Sequence, residues 1–221
     1  MDIASAITQR RATRAFLNKP VNKDIIQSVL KLASHSPSGV NSQPWHVCVL
    51  LGNTKSILSD HILAARKQDI KPNPDYQYYP LNWTEPYKTR RKITGLAMYQ
   101  ALDIGLKDFD KRNEAWNRNY TFFDAPVGLI ITIEKNLEKG SWLDLGMFIQ
   151  NIMLAAKAFD LDTCPQASMA EYPDIIRSAL NLPDTSSIVC GIAIGYADKS
   201  APVNNFDLSR EPVENFTQWY E

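Results

Sequence analysis

Three arginines that could bind an anion lie close together near the start of the chain. Arg10, Arg11 and Arg14 lie in the stretch QRRATRAF. We expect them at the end of a first helix, where Arg10 and Arg14 share a face and repel by roughly a few tenths of a kcal/mol. A bound phosphate would relieve that repulsion, because each guanidinium can donate two parallel hydrogen bonds to it. A solvated basic surface explains the same pattern, so both interpretations stay open.

A second polar stretch, HSPSGVNSQPWHV, covers residues 35–47. Its prolines should make it rigid, and Asn41 and Gln43 each offer an acceptor oxygen and an amide donor. Such groups suit the edge of a planar heterocycle with alternating carbonyls and ring nitrogens. An Asx or Ser turn in a proline-rich loop is the other interpretation. Together with the arginines, the loop indicates a phosphorylated heterocycle.

Several common catalytic and cofactor motifs are missing from the chain. The glycine patterns of dinucleotide and P-loop sites do not occur, and neither does the G-x-S-x-G elbow of many hydrolases. The three histidines have no metal-ligand spacing to one another or to the cysteines, so we predict no metal site. Cys164 in DTCPQAS is an imaginable nucleophile, but no histidine lies in a partnering motif, which favours a buried structural thiol.

Composition excludes other classes of function. The 221 residues fit one domain, predicted to cover 1–221. Lys plus Arg and Asp plus Glu both number 24, so no net field attracts nucleic acid or an anionic membrane. Neither a secretory signal nor a membrane-spanning window is found. The three cysteines are far apart, and Cys48 and Cys190 lie in apolar runs. We therefore expect reduced thiols and a cytoplasmic location.

The elements that must position these groups form an α+β pattern. Asp2 and Asn22 are predicted N-caps of the first two helices, and a third helix is expected over 54–68. A long charged helix is expected from about Lys88 to Asn117. Buried strands are expected in WHVCVLL, APVGLIITIEK and SSIVCGIAIGYA, and a short helix from Pro173.

One further helix is apolar on nearly every side. It is expected in SWLDLGMFIQNIMLAAKAFDLD, with Ser141 as N-cap and Asp144 close to a capping box. Such a helix is buried in a large core or against another subunit. In a chain of this size the second arrangement is a real option.

Two aromatic-rich segments have no regular period. In residues 71–88, five aromatic side chains either roof a pocket for flat ligands or seal a dimer surface, and both interpretations stay open. The five are Tyr76, Tyr78, Tyr79, Trp83 and Tyr87. The tail, residues 200–221, carries Phe206, Phe216, Trp219 and Tyr220, and we expect it to pack on another surface, with a partner chain as one option.

Taken together, ITQRRATRAF, SPSGVNSQPWHV, DTCPQASMAEYP and the closing LSREP resemble the nitroreductase family of FMN-dependent oxidoreductases. The similarity covers roughly residues 4–213, and it is strongest to the branch that reduces nitrobenzoate-type compounds. The resemblance implies a nitroreductase-like fold with a central mixed β-sheet surrounded by helices. It also implies an intertwined homodimer in which the C-terminal arm, residues 200–221, lies on the partner subunit.

The resemblance further implies where FMN binds. Arginines would approach the phosphate, a loop from the other subunit would face the ring, and a backbone N–H beside the reactive edge would bond the ring nitrogen that accepts hydride. By position, the cofactor-binding residues would be Arg10, Arg11, Ala12, Arg14 and Arg210 at the phosphate, Pro37, Ser38, Gly39, Asn41 and Gln43 in the loop, and Pro165, Gln166, Ala167 and Ser168 at the edge.

The implied activity is hydride transfer from NADPH or NADH, through FMN, to a small nitroaromatic or quinone-type acceptor by a ping-pong mechanism. No catalytic side chain is expected, because the flavin carries the chemistry. Two alternatives stay open: another flavin reaction, such as flavin breakdown or dehydrogenation, and a non-enzymatic flavin sensor or store. The chain also departs from family patterns at three places: many relatives have a serine at Ala12, some have a lysine at Leu208, and others have Glu-Gly at Ala167–Ser168.

Overall fold

A four-stranded sheet lies at the centre of the computed structural model, which describes residues 2–221. The strands are β1 (His46–Leu51), β2 (Val127–Glu134), β3 (Asp162–Gln166) and β4 (Ser186–Gly195), in the order β1-β2-β4-β3. All three strand pairs are antiparallel. The expected central sheet is confirmed, but the prediction of a mixed sheet is wrong. The segment that runs parallel to β3 makes only the single bridge Ala12–Thr163.

Helices cover both faces of this sheet. They are α1 (Ile3–Gln9), α2 (Lys23–Ala33), α3 (Gly52–Lys67), α4 (Tyr87–Ala101), α5 (Phe109–Asn117), α6 (Lys139–Lys157) and α7 (Pro173–Leu180). α2 and α6 pack with one face of the sheet in one apolar cluster, and α3 and α7 pack with the other face in a second cluster. Because both faces are covered, β2 and β4 read as continuous apolar runs instead of the alternation of a half-exposed sheet.

The sequence patterns locate most helices correctly. Asp2 caps α1 by accepting a hydrogen bond from the N–H of Ser5, and Asn22 caps α2 through the N–H of Asp24. α7 begins at Pro173, as predicted. These ends are predictable because a capping side chain or a proline marks them locally.

Four local predictions are wrong. The helix expected over Lys88–Asn117 is two helices, because the chain turns after Ala101, where Asp103 has a positive φ of 53°. α6 begins at Lys139, so Ser141 lies inside the helix and does not cap it. α3 begins at Gly52, two residues earlier than expected. Of the residues of β1, only Leu50 is fully buried, because β1 is an edge strand.

Candidate functional site

The N-terminal arginine segment lies along the free edge of β3. α1 ends at Gln9, and Arg10 already has an extended backbone (φ −63°, ψ 129°), so the prediction that Arg10 and Arg14 share a helix face is wrong. The segment bonds to the sheet instead of continuing the helix: the N–H of Thr13 donates to the carbonyl of Thr163 at 3.0 Å. As an edge strand, β3 also tolerates Pro165, which cannot donate to a second strand.

The C-terminal segment brings a fourth arginine to the same place. Asn204 accepts a hydrogen bond from the N–H of Arg14 at 2.7 Å and donates to the carbonyl of Ala15 at 2.8 Å. The chain after Asn204 then runs past the arginines. Arg210, almost 200 residues later in the sequence, therefore lines the same cavity as they do.

These contacts form what we call the arginine groove, with a volume of about 530 Å³. It is lined by Arg10, Arg11, Arg14, Arg210 and Ala12, with Asp207 as the carboxylate in the groove. Asp207 pairs with Arg11 at 2.7 Å. Among residues 2–221, the other three guanidinium groups form no ion pair, and Arg10 Nε is buried with no hydrogen-bond partner. Such an excess of donors and positive charge suits an anion with several oxygens.

A second cavity, the aromatic cavity, adjoins the groove and has a volume of about 320 Å³. Arg14 lines both. The size is at the lower end of the range of about 300–1,000 Å³ typical of small-ligand sites. Its wall includes the predicted residues Pro165, Gln166, Ala167 and Ser168, together with Tyr76, Tyr78, Tyr79, Trp116, Asn119, Phe123 and Glu171.

Two buried polar side chains in this wall each have an atom without a hydrogen-bond partner. Gln166 is 2% exposed; its amide donates to the carbonyl of Asn119 at 2.5 Å, but its Oε1 has no partner. Ser168 is 5% exposed, and its hydroxyl has no partner either. Because buried polar atoms nearly always have a hydrogen-bond partner, these two point to a ligand or ordered water in the cavity.

The amide loop of residues 37–43 lines neither the groove nor the cavity of its own chain. It packs on α6 instead, where the N–H of Gly39 donates to Asp144 at 3.1 Å. The structure therefore does not bring Pro37, Ser38, Gly39, Asn41 and Gln43 together with the arginines within one chain. Their role across a subunit interface stays a prediction.

The loop has an unusual backbone. Val40, Asn41 and Gln43 have positive φ values of 48°, 59° and 48°. Asn adopts this left-handed conformation readily, whereas a β-branched residue such as Val rarely does. Val40 is also fully exposed. Strained, exposed loops of this kind are concentrated at functional sites.

Only part of the aromatic-rich segment reaches the aromatic cavity. Tyr76, Tyr78 and Tyr79 line the aromatic cavity, whereas Trp83 and Tyr87 do not. Tyr76 is held in place because its hydroxyl donates to the carbonyl of Val189 at 2.6 Å. Burial raises the pKa of the Tyr76 hydroxyl, which therefore stays protonated.

Sequence reasoning missed Glu171. Its carboxylate lines the aromatic cavity and accepts a hydrogen bond of 2.5 Å from the hydroxyl of Tyr120. Burial raises the pKa of the Glu171 carboxyl, while the Tyr120 hydrogen bond and the charge of Arg66 oppose that effect. A single glutamate in MAEYP has no spacing signature that could have marked it.

The cysteines do not carry the chemistry of this site. Burial raises the thiol pKa of Cys164 to about 11 and that of Cys190 to about 12, so both are protonated at neutral pH. Cys48 is half-buried, and all three thiols are free. Within residues 2–221, no group of three or more His, Cys, Asp or Glu side chains is arranged for a metal ion. Over the same residues, no helix has both the length and the apolar character needed to cross a membrane.

Comparison with known proteins adds independent findings. The model of the family described as "Nitroreductase family" matches residues 7–196. A 4-nitrobenzoate reductase of Pseudomonas putida is 39% identical over 99% of this chain and 95% of the relative. Two solved structures each match the whole of both chains. One is an FMN and NADPH-dependent nitroreductase NfnB from Sphigopyxis sp. strain HMH (32% identity, TM-score 0.97). The other is the FMN-dependent NfnB from Mycobacterium smegmatis in complex with NADPH (30%, TM-score 0.93).

Proposed function

This chain belongs to the nitroreductase family, and from that premise we propose that it is an enzyme that binds FMN and uses NADPH or NADH to reduce nitroaromatic compounds. The observation that carries the proposal is the contact between an arginine groove and an aromatic cavity, which share Arg14. A ligand with a phosphate at one end and a flat ring at the other would fill both.

The residues of the groove fit the phosphate of FMN. Arg10, Arg14 and Arg210 have no carboxylate partner among residues 2–221, and the buried Arg10 Nε lacks an acceptor. A phosphate supplies both the negative charge and the acceptor oxygens. The substitution of Ala12 for serine removes one hydroxyl donor, but Arg11 and Arg210 lie in the same groove.

The residues at the end of β3 fit the ring. Bound FMN would supply the hydride chemistry, as flavins do. Segment 165–168 would hold a backbone N–H beside the reactive edge, where it stabilises charge without being titrated. The unpaired Gln166 Oε1 and Ser168 hydroxyl would complete their hydrogen bonds to the ring or to the acceptor. Tyr76, held by its bond to Val189, would keep water from one side of the cavity.

The size of the aromatic cavity supports a ping-pong order. At about 320 Å³, it is too small to hold the flavin ring together with both a nicotinamide and an acceptor. The nicotinamide and the acceptor would therefore occupy the same place in turn. Quinones are flat and electron-poor as well, so we include them among the acceptors.

A homodimer would complete the site. Leu143 and Met147 are exposed on α6, next to the amide loop that packs there. The tail also exposes Phe216, Trp219 and Tyr220. A second copy of the chain would cover these apolar side chains and place its amide loop against the ring. We further propose one domain over residues 1–221 and a cytoplasmic location, where three free thiols stay reduced.

The phosphate assignment is tested by comparing FMN with riboflavin, which lacks the phosphate. The protein is stripped of flavin, and both affinities are measured by fluorescence quenching for the wild type and for Arg10→Gln. We expect the wild type to prefer FMN, and Arg10→Gln to lose about 10- to 100-fold in FMN affinity, because a charge-assisted hydrogen bond contributes about 1.5–3 kcal/mol. Riboflavin affinity should not change.

The matched control is Arg112→Gln, which removes a guanidinium that bonds to the carbonyl of Leu106, away from the groove. It should bind FMN like the wild type. Equal affinity of the wild type for FMN and riboflavin would contradict the assignment of the groove.

A further inference from the structure

The aromatic cavity has two charged side chains in its wall, Arg14 and Glu171. Arg14 also lines the arginine groove, so its positive charge is shared with the phosphate that we place there. Its guanidinium already donates to the carbonyl of Ala12 at 3.2 Å. With FMN bound, Glu171 is the charged side chain of the cavity wall that has no ion-pair partner among residues 2–221.

Glu171 is held in place by a hydroxyl and forms no ion pair among residues 2–221. Tyr120 donates to its Oε2 at 2.5 Å, and the indole N–H of Trp116 reaches the same phenol oxygen at 3.3 Å. Arg66, on α3, reaches the phenol oxygen at 3.5 Å and does not bond to the carboxylate itself. The charged and titratable groups around Glu171 are Tyr120 and Arg66 at its hydrogen bond, and Arg14, Tyr76, Tyr78, Tyr79 and Cys164 in the cavity wall.

A second acceptor lies in the same wall. Gln166 directs its amide N–H to the carbonyl of Asn119, which leaves the amide oxygen buried without a donor. A carboxylate and an amide oxygen together favour a ligand with N–H or O–H groups. They disfavour a ligand carboxylate, which brings only acceptors and a second negative charge.

We propose that the aromatic cavity selects neutral aromatic acceptors that carry an N–H or O–H group, that it discriminates against aromatic carboxylates, and that Glu171 is the specificity-determining residue. This inference rests on the proposed function, because it concerns the acceptor of the same FMN enzyme. This preference would distinguish the chain from the 39% identical relative, which is named for the carboxylate 4-nitrobenzoate.

The expected discrimination is about tenfold. Two like charges separated by about 5–6 Å in a partly hydrated cavity repel each other by an amount that corresponds to between roughly 3- and 100-fold in affinity. The matched ligand pair is para-nitrobenzamide and para-nitrobenzoate, which have almost the same shape. Their difference in intrinsic reactivity cancels when the ratio of their kcat/KM values is compared between protein variants.

The experiment uses the FMN-loaded enzyme with NADPH and measures that amide-to-carboxylate ratio for the wild type and Glu171→Gln. We expect the ratio to fall about tenfold in Glu171→Gln, mainly because para-nitrobenzoate becomes a better substrate. The control Glu138→Gln removes the same charge from an exposed position before α6 and should leave the ratio unchanged. A second readout is the binding of unreactive benzamide and benzoate, followed by the flavin absorbance, which should show the same change in ratio.

The wild type alone gives a further test, should Glu171→Gln fold poorly. Burial raises the pKa of Glu171, and protonation removes its negative charge. As the pH falls through that pKa, discrimination against para-nitrobenzoate should therefore weaken, and as the pH rises it should return. A folded Glu171→Gln should show no such dependence.

The outcomes separate this inference from the proposed function. Failure to bind FMN, or failure of NADPH to bleach it, contradicts the proposed function. If the flavin is bleached normally, a ratio that is the same in the wild type and Glu171→Gln overturns the inference alone. A wild-type amide-to-carboxylate ratio that does not change with pH would likewise overturn the inference alone.

Discussion

At the scale of single residues, Asn41 shows how backbone and side chain can be tested separately. Its φ of 59° lies in the left-handed region, which Gly and Asn adopt without strain. Asn41→Gly therefore removes the side-chain amide and keeps the loop conformation. If that amide bonds to FMN across the dimer, Asn41→Gly should weaken FMN binding about tenfold, the loss of one or two hydrogen bonds. Titration of the flavin-free protein with FMN measures this.

The matched control for that change is Asn181→Gly. Asn181 also has a left-handed backbone (φ 51°), but it ends α7 and lies away from the groove and the cavity. Both variants should keep the wild-type melting temperature within a few degrees, since Gly suits both positions. Unchanged FMN affinity in Asn41→Gly would refute the assignment of this side chain.

Residue types predicted the cluster of arginines better than its backbone geometry. Three arginines in five positions can bind a phosphate whether the backbone is helical or extended, so the hypothesis of an anion site does not depend on the predicted helix. The position of Arg210 came only from the family resemblance, because no local pattern connects it to Arg10. Glu171 and the unpaired atoms of Gln166 and Ser168 depend on three-dimensional packing, which spacing does not encode.

At the scale of elements, a buried ion pair joins the aromatic-rich segment to the sheet. Asp75 accepts hydrogen bonds from Arg177 of α7 at 2.7 Å and from the N–H of Ile188 in β4 at 3.0 Å. Arg177 is also bonded to the carbonyl of Ser186. This network fixes the residue next to Tyr76, so we infer that it holds one wall of the aromatic cavity in place.

Asp75→Ala should lower the free energy of unfolding by about 3 kcal/mol, because it removes the buried partner of Arg177 and the acceptor of the Ile188 N–H. Arg177 then keeps only its pair with the exposed carboxylate of Asp174. Urea denaturation followed by fluorescence measures the loss. The control is Asp69→Asn, at an exposed pair with Lys71, where an effect within about 0.5 kcal/mol is expected. A loss in Asp75→Ala no larger than in the control would mean that the pair does not support the fold.

The elements themselves were predictable where a local signal exists. Apolar runs located β2 and β4, and capping residues located the starts of α1 and α2. The turn that separates α4 from α5 was missed, because it contains no proline and the surrounding charges suit a helix. The antiparallel pairing of the whole sheet depends on contacts distant in sequence, which patterns along the chain do not report.

At the scale of the whole molecule, the single chain exposes large apolar side chains on α6, in the amide loop and in the tail. Leu143 on α6 is 73% exposed, and Trp219 in the tail is 82% exposed. The amide loop presents the strained Val40 to solvent in the same region of α6. In the homodimer that we propose, a second copy of the chain would cover these side chains and bring the amide loop of one subunit to the arginine groove of the other.

We propose that the dimer holds a flavin that NADPH or NADH reduces. The most direct test of this proposal is the visible absorption spectrum of the purified protein, recorded on the main size-exclusion peak before and after anaerobic addition of NADPH. We expect a flavin spectrum that bleaches, on a peak eluting at twice the mass of the 25.0 kDa chain. A colourless protein that cannot be reconstituted with FMN would contradict the proposal that the chain is a flavoenzyme.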